Sequence, residues 1–357
     1  MYWMFKKLSN MVLTLFGVTT IIFFLFNVLP GDPAQMMLDQ NENSEQLLLL
    51  KKKYGFDKPV FVQYLYYLND LSPVSIHFND KKNLSFLKKN KYNYINVLFL
   101  KNSKIVLKTP YLRESYQKNG VAVIDIIKNT LPNTAILAIS SIIIAIVLGM
   151  FLGIFSALNK NNWTDYSIQL LSTLGMSVPS FFSAILFAWL FGFVLHDYTG
   201  FNMTGSLYEL DDYGENLTLN FKNLILPSIV LGIRPVAVIS QMMRNSLLKV
   251  LSQNYILTAY SKGLSKYQII KDHAIKNSLN PVITALSGWF ASMLAGSVFV
   301  EYIFGWNGLG KEIVDSLNTL DVPVLMGAVL TIAFIFILIN IFVDIIYSWL
   351  DPKIKFE

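Results

Sequence analysis

The chain has 357 residues, of which 54% are hydrophobic and only 15% charged, with a net charge of +6. A soluble domain is about 25% charged, so a large part of this surface is not made for water. Cysteine is absent, which excludes a disulfide framework, a thiolate metal site and a cysteine nucleophile. The three histidines, His77, His196 and His273, are too far apart in sequence to show metal-ligand spacing.

Crossing a bilayer as a helix takes about 20 mostly apolar residues. In chain order, the runs that meet this are Leu8–Leu29, Pro132–Asn159, Tyr166–Leu195, Leu224–Met243, Ser278–Val300 and Val322–Val343. The first is too long for a cleavable signal peptide and no small-residue cleavage site follows it. The third holds Pro179 near its middle, so it is expected to be tilted or broken; the fourth is interrupted by Arg234-Pro235. The expected fold class is an all-α membrane protein, a bundle of about six transmembrane helices.

Lysine and arginine in short loops mark the cytoplasmic side. Lys6 and Lys7 precede the first run, Lys160 follows the second, Arg244 to Lys276 separate the fourth and fifth, and Lys353 and Lys355 follow the sixth. The alternate connections are acidic: Asp197, Glu209, Asp211, Asp212 and Glu215, then Glu312, Asp315 and Asp321. The alternation places both termini in the cytoplasm. It also explains the basic balance without nucleic acid.

The segment Gly31–Lys128 is polar and long, and long loops cross the membrane largely regardless of charge; it is expected outside. Within it, Phe61, Tyr64 and Tyr67 stand at helical spacing, as on a helix at the membrane–water boundary packing on the spans. A docking surface for an external partner is the other reading of that stripe. The connection Met243–Pro281 is too charged to cross the bilayer. Gly263-Leu264-Ser265 should break it into two helical stretches, since glycine permits a tight turn. Gly305 to Lys311 spells G-x-x-x-x-G-K, but position 312 is glutamate where a phosphate-binding loop needs serine or threonine, and a membrane run precedes it rather than a strand. No nucleotide site is expected there.

Tyr255-Ile-Leu-Thr258-Ala259-Tyr-Ser-Lys-Gly263-Leu264-Ser265 resembles the coupling-loop motif of the permeases of ATP-binding-cassette importers. It occurs with Leu29-Pro30-Gly31-Asp32-Pro33, Lys53-Tyr-Gly-Phe-Asp-Lys-Pro59, Leu131-Pro-Asn-Thr134, Ser177-Val-Pro179-Ser-Phe181, Val300-Glu-Tyr-Ile-Phe304, Gly308-Leu-Gly310, Asp344 and Leu350-Asp-Pro352. In this order the set is similar to the dipeptide/oligopeptide-type permease subunits of bacterial importers, over nearly the whole chain. Two departures stand out: the stretch Asp80–Gln117 is longer than usual, and Leu257 and Thr258 stand where glutamate and alanine are expected.

The resemblance implies a first membrane helix over residues 1–30, an external segment over 31–130, a permease core over 131–350 with a helix-turn-helix coupling loop at 244–280, and a tail at 351–357. It implies a non-enzymatic pore subunit of the bacterial inner membrane, without cofactor or metal. Cytoplasmic ATPase subunits would dock on Thr258, Ala259, Gly263, Leu264 and Ser265. The further partners implied are a second homologous permease, an external substrate-binding protein and membrane lipid. Arg234, deep in its apolar run, and Pro179, which frees backbone carbonyls, are the candidates for the substrate pathway. A secondary transporter without an ATPase is the rival reading, but no internal symmetry of the kind such proteins carry is visible. A membrane-embedded enzyme would want several acidic or histidine residues within the spans, and only Arg234 and Asp344 are there.

Overall fold

The computed structural model describes residues 2–28, 32–38, 44–80, 83–87, 92–210 and 215–350. Leu29-Pro30-Gly31, Asp351-Pro352 and the tail at 351–357 lie outside the described residues, as does the side chain of Asp344. The elements run α1 (Tyr2–Val28), α2 (Pro33–Met36), α3 (Ser44–Tyr54), α4 (Val60–Leu71), β1 (Val74–Phe78), β2 (Tyr94–Phe99) and β3 (Ser103–Lys108). Then come α5 (Val123–Leu158), α6 (Trp163–Ser177), α7 (Ser180–Trp189), a π-helical turn (Leu190–Val194), α8 (His196–Thr199), β4 (Tyr208–Leu210) and β5 (Leu217–Leu219). The chain closes with α9 (Lys222–Leu251), α10 (Asn254–Ser261), α11 (Lys266–Gln268), a second π turn (Ile269–Ile275), α12 (Lys276–Phe304), α13 (Leu309–Asn318) and α14 (Val322–Leu350).

Among the described residues, four helices are long and apolar enough to cross a membrane alone, and six spans result if each of two bent pairs counts as one. The first pair, α6 with α7 and its π turn, bends by 107° at Val178-Pro179. Proline forces this break. It bars the α conformation at Val178, whose φ, ψ are −77°, 130°. The second pair bends by 42° and runs from Lys266 to Phe304 as one almost continuous helical path. Two expectations are therefore corrected. The stretch after Gly263 does not close as a separate short helix; it flows into the fifth span. Arg234-Pro235 does not interrupt the fourth run, because α9 passes straight through it. A buried proline inside a span is tolerated when neighbouring helices protect the freed carbonyl. Among the described residues there are also two small antiparallel sheets, so the structure is mostly rather than wholly helical.

The chain divides into two compact units. The larger holds Thr130–Val314 with the flanking stretches 2–11 and 332–350. Its centre is α9, the most buried of the four single-helix spans. Gly149 and Gly153 let α5 lie directly on it. A Cβ on Gly153 would sit 2.5 Å from the Ser240 carbonyl oxygen and 2.7 Å from Met243 Cβ. Small residues four apart are a standard way for membrane helices to approach closely, since lipid offers no hydrophobic drive for association. One apolar cluster joins Leu137, Leu226, Val230, Met293, Phe304 and Trp306; a second joins Ile239, Met243, Leu247, Ile256, Ile269 and Ala274.

The smaller unit holds Val12–Asn129 with Asp315–Thr331. Phe23 of α1 packs on Tyr64 and Tyr67 of α4 and on Met326 of α14. The Phe61–Tyr64–Tyr67 stripe thus divides: Phe61 is exposed and both tyrosines are buried. The sheet has the order β1-β3-β2. It is fastened through Asp70 at the end of α4. The Asp70 carboxylate accepts from Tyr92 Oη at 2.9 Å and from Arg113 Nε at 2.8 Å, and Lys108 Nζ donates to its backbone carbonyl. Burial alone would lower the Arg113 guanidinium, but the Asp70 carboxylate beside it raises it above its ordinary value. Burial, reinforced by the same carboxylate, pushes the Tyr92 hydroxyl up. Asp321 secures the other end, accepting from Ser115 Oγ and from the Tyr116 amide.

Candidate functional site

The elbow between α9 and α12 is built from local rules. α10 ends on Gly263, whose φ of +81° lies in the left-handed region. The Gly263 amide donates to the Tyr260 carbonyl at 2.9 Å and the Leu264 amide reaches back to the Ala259 carbonyl at 3.3 Å. This pair of bonds is the Schellman ending, in which glycine takes the position a side chain disfavours and the next residue makes an apolar contact with the helix it closes. Leu264 meets that requirement by packing into the cluster that holds Ala259, Ile256 and Ile269. Ser265 then starts the next helix. Its amide donates to Gln268 Oε1 at 2.9 Å while its hydroxyl accepts from the Gln268 amide at 3.4 Å, a reciprocal capping box. Asn277 Nδ2 donates to Tyr255 Oη at 3.1 Å and ties α10 to α12.

The five expected residues fall into two groups. Ala259 is buried and Leu264 half-buried, so they form the inner frame of the corner; Thr258, Gly263 and Ser265 are exposed. Sequence reasoning missed the outward-facing apolar residues between them. Leu257, Tyr260 and Tyr267 project from the elbow, with Tyr267 71% exposed. Leu257 and Tyr260 each stand one residue past a buried position, Ile256 and Ala259, and that spacing was their signal. The π turn over Ile269–Ile275 had no signal in the residues.

Arg234 is exposed on α9, and among the described residues it makes no ion pair or hydrogen bond. Gln241 and Asn245 lie two and three turns further along the same line of the helix. Pro179 is exposed at the 107° corner, at the N-cap of α7. Among the described residues no hydrogen bond or ion pair joins Arg234 to Pro179, or either of them to the elbow. Also missed was the Arg244–Asp165 pair, whose members are 79 residues apart.

The Gly305–Lys311 loop has the amide groups of an anion site, but the chain fills it itself. Glu301 Oε2 accepts from the Gly310 amide at 2.7 Å and the Lys311 amide at 3.3 Å. Leu309 N donates to Thr134 Oγ1 at 2.8 Å, and Trp306 is fully buried. A carboxylate at the N-terminus of α13 satisfies the helix dipole where a phosphate would otherwise bind.

The sequence profile of binding-protein-dependent transport system inner membrane components matches residues 145–356, and that of the N-terminal part of such membrane components matches residues 1–79. The chain is 31% identical to the dipeptide transport system permease protein DppB of Alkalihalophilus pseudofirmus, covering 98% of both chains. It is also 31% identical to the dipeptide transport system permease protein DppB of Bacillus subtilis, covering 99% of this chain and 97% of that one. Among solved structures, the inward-facing MetNI methionine ABC transporter matches with a TM-score of 0.51 at 14% identity, over 64% of this chain and 97% of that one, a likeness of fold. The chain belongs to the family of binding-protein-dependent transport system inner membrane components.

Proposed function

We propose that the chain is the pore-forming permease subunit of a peptide importer, driven by ATP that partner subunits hydrolyse. The peptide assignment draws on the relatives named dipeptide permeases. In this reading both termini and the elbow are cytoplasmic, residues 31–130 are external, residues 131–350 form the core, and a binding protein delivers substrate from outside. A second homologous permease completes the pore, and lipid surrounds it. Arg234 and Pro179 line the pathway.

The observation that carries the proposal is the elbow. A rigid corner, fixed by a left-handed glycine and a capping box, presents Leu257, Tyr260 and Tyr267 to solvent. Exposed apolar groups on a rigid frame mark a contact surface. ATP binding would move the docked ATPases, and the elbow would carry that movement into α12 and so bias the pore between two states. A transporter that works without an ATPase leaves this corner with nothing to bind.

Gly263→Val tests it. A Cβ at Gly263 meets no atom of this chain within 4 Å, so folding pays only a backbone cost of about 1–3 kcal/mol. The variant should insert and pair with its partner permease yet recover less ATPase in a pull-down from membranes. Gly263→Asn, which tolerates the left-handed conformation, should recover more than the valine variant. Equal ATPase recovery by wild type and Gly263→Val, with equal transport, would remove the elbow from the coupling path.

A further inference from the structure

We propose that a cavity in the smaller unit binds an aromatic zwitterion: an aromatic amino acid, free or at the end of a short peptide. The cavity measures about 650 Å³ and lies among the end of α1, α3, α4, the stretch 111–116 and the start of α14. All of its lining residues belong to the smaller unit. Pockets for small molecules have this size and combine apolar or aromatic walls with a few placed polar groups.

The walls set the body of the ligand. Tyr54, Phe56 and Tyr116 form an aromatic corner in which Tyr116 meets the other two rings edge-on, at centroid distances of 5.0 and 5.5 Å. Tyr66 and Tyr67 of α4 add two more rings. Ring-on-ring contacts gain more than the area they bury, so an aromatic side chain gains more here than an aliphatic one of equal size.

The charges set its ends. Two ions of each sign are already matched: Lys51 Nζ lies 2.6 Å from Asp32 Oδ2, and Arg113 Nε lies 2.8 Å from Asp70 Oδ2. Lys53 and Glu114, one charge of each sign, line the cavity from exposed positions. Lys53 Nζ stands 5.0 Å from the Tyr54 ring centroid, and Glu114 lies beside the Tyr111 hydroxyl. A ligand with a net charge would bring an unmatched ion into a balanced site. A zwitterion answers both groups, its carboxylate facing Lys53 and its ammonium facing Glu114.

Tyr67 supplies a third, independent observation. It is 2% exposed, and its hydroxyl has no hydrogen-bond partner among the described residues. Buried polar groups in folded proteins are nearly always bonded. Burial raises this hydroxyl above its ordinary titration range, so it is a neutral donor. Its missing acceptor is what a seated ligand, or a water ordered beneath it, brings. Arg113 holds the ring in place, with its guanidinium carbon 5.0 Å from the Tyr67 centroid. Arg113 itself takes a φ of +68°, the kind of backbone strain that clusters at ligand clamps. The inference rests on the smaller unit alone and does not depend on the importer reading.

Saturation-transfer NMR on the full chain in detergent tests the site, with L-phenylalanine, phenylalanylalanine, L-alanine and N-acetylphenylalanine as probes. The wild type should saturate the ring protons of L-phenylalanine, of the dipeptide or of both, and whichever binds names the source. L-Alanine lacks the ring and N-acetylphenylalanine lacks the ammonium, so each should bind about tenfold more weakly. Glu114→Gln, at an exposed position, should abolish the preference for phenylalanine over its N-acetyl form and leave the unfolding temperature close to that of the wild type. Tyr67→Phe removes one oxygen and keeps the ring. It should raise Kd about threefold to tenfold, while the unfolding temperature without ligand stays level or rises. Absence of saturation in both ring-bearing zwitterions would overturn the proposal. So would a Tyr67→Phe variant that loses stability and keeps its affinity, since the hydroxyl would then serve the fold.

Discussion

Arg244 clasps Asp165 with two parallel hydrogen bonds of 2.7 Å each, joining the start of α6 to the last turns of α9. The same carboxylate accepts from Ser156 Oγ on α5 and from the Asn161 amide at 3.0 Å. Three helices therefore share one buried acid, next to the apolar cluster that anchors the elbow. Removing one partner of a buried ion pair leaves the other uncompensated and costs about 3–5 kcal/mol. Asp165→Asn and Arg244→Gln should each lower the unfolding temperature of the detergent-solubilised chain. Their effects should also fall well short of additive in the double variant, because both remove the same interaction. Full additivity would mean that the two residues do not act as a pair.

The loop around Gly310 should be intolerant of volume and indifferent to the charge of its lysine. A Cβ on Gly310 would lie 2.6 Å from Val298 Cα and 2.9 Å from Glu301 Oε2. Overpacking of this kind costs about 1–3 kcal/mol, so Gly310→Ala should reduce thermal stability and yield. Lys311 Nζ donates to Asn307 Oδ1 at the surface. Lys311→Ala should leave the ATPase activity of an assembled complex unchanged. Loss of nucleotide binding in that variant, with assembly intact, would show that the glycine-lysine sequence is more than a capped helix start.

Among the described residues Arg234 pairs with no carboxylate, and charge at membrane depth is costly without a partner or a water-filled cavity. On the proposed pathway, Arg234→Gln should impair transport while complex assembly and insertion stay normal. Transport that stays at wild-type rate across a panel of short peptides would instead assign the side chain to the membrane boundary.

Long-range pairings account for most of what the sequence concealed. The apolar runs located the four single-helix spans and the two bent pairs, because about twenty uncharged residues leave few alternatives, although α5 begins at Val123 rather than Pro132 and α9 ends at Leu251 rather than Met243. Gly263 and Ser265 were legible because capping is a local matter of one residue's backbone and its neighbour's side chain. Gly149 and Gly153 carried a readable signal, a pair of small residues one turn apart on an apolar helix, although its partner on α9 was not readable. Asp165 with Arg244, and Asp70 with Tyr92 and Arg113, gave no sign, since each is joined only by the tertiary fold. The small sheet escaped because its strands are short, five or six residues each, and β2 is exposed along nearly its whole length. Such a strand shows no alternation of buried and solvent-facing positions.

Tyr92 gives the smaller unit an alkaline limit. An ordinary tyrosine titrates near pH 10, and the hydroxyl of Tyr92 is pushed above that value in the folded state. The folded chain therefore holds this proton more tightly than the unfolded chain. Stability from the neutral hydroxyl is complete below about pH 10 and falls as the pH rises further. Tyr92→Phe should lose about 1–3 kcal/mol at neutral pH, through the hydrogen bond to Asp70 left unmade. Its stability should then decline less steeply in alkali than that of the wild type. Unfolding followed across an alkaline pH series distinguishes the two slopes; parallel slopes would exclude Tyr92 as the titrating group.

The central claim is that this chain moves peptide only as part of an ATP-driven assembly. Proteoliposomes answer it most directly. The chain is reconstituted with its partner permease and ATPase subunits, binding protein loaded with a labelled dipeptide is supplied on one side, and ATP is supplied to the ATPases on the other. The account predicts accumulation of the labelled dipeptide that requires ATP and the binding protein together, and that falls sharply when Gly263→Val replaces the wild-type chain. Uptake by the chain alone, without ATP and unaffected by Gly263→Val, would contradict it.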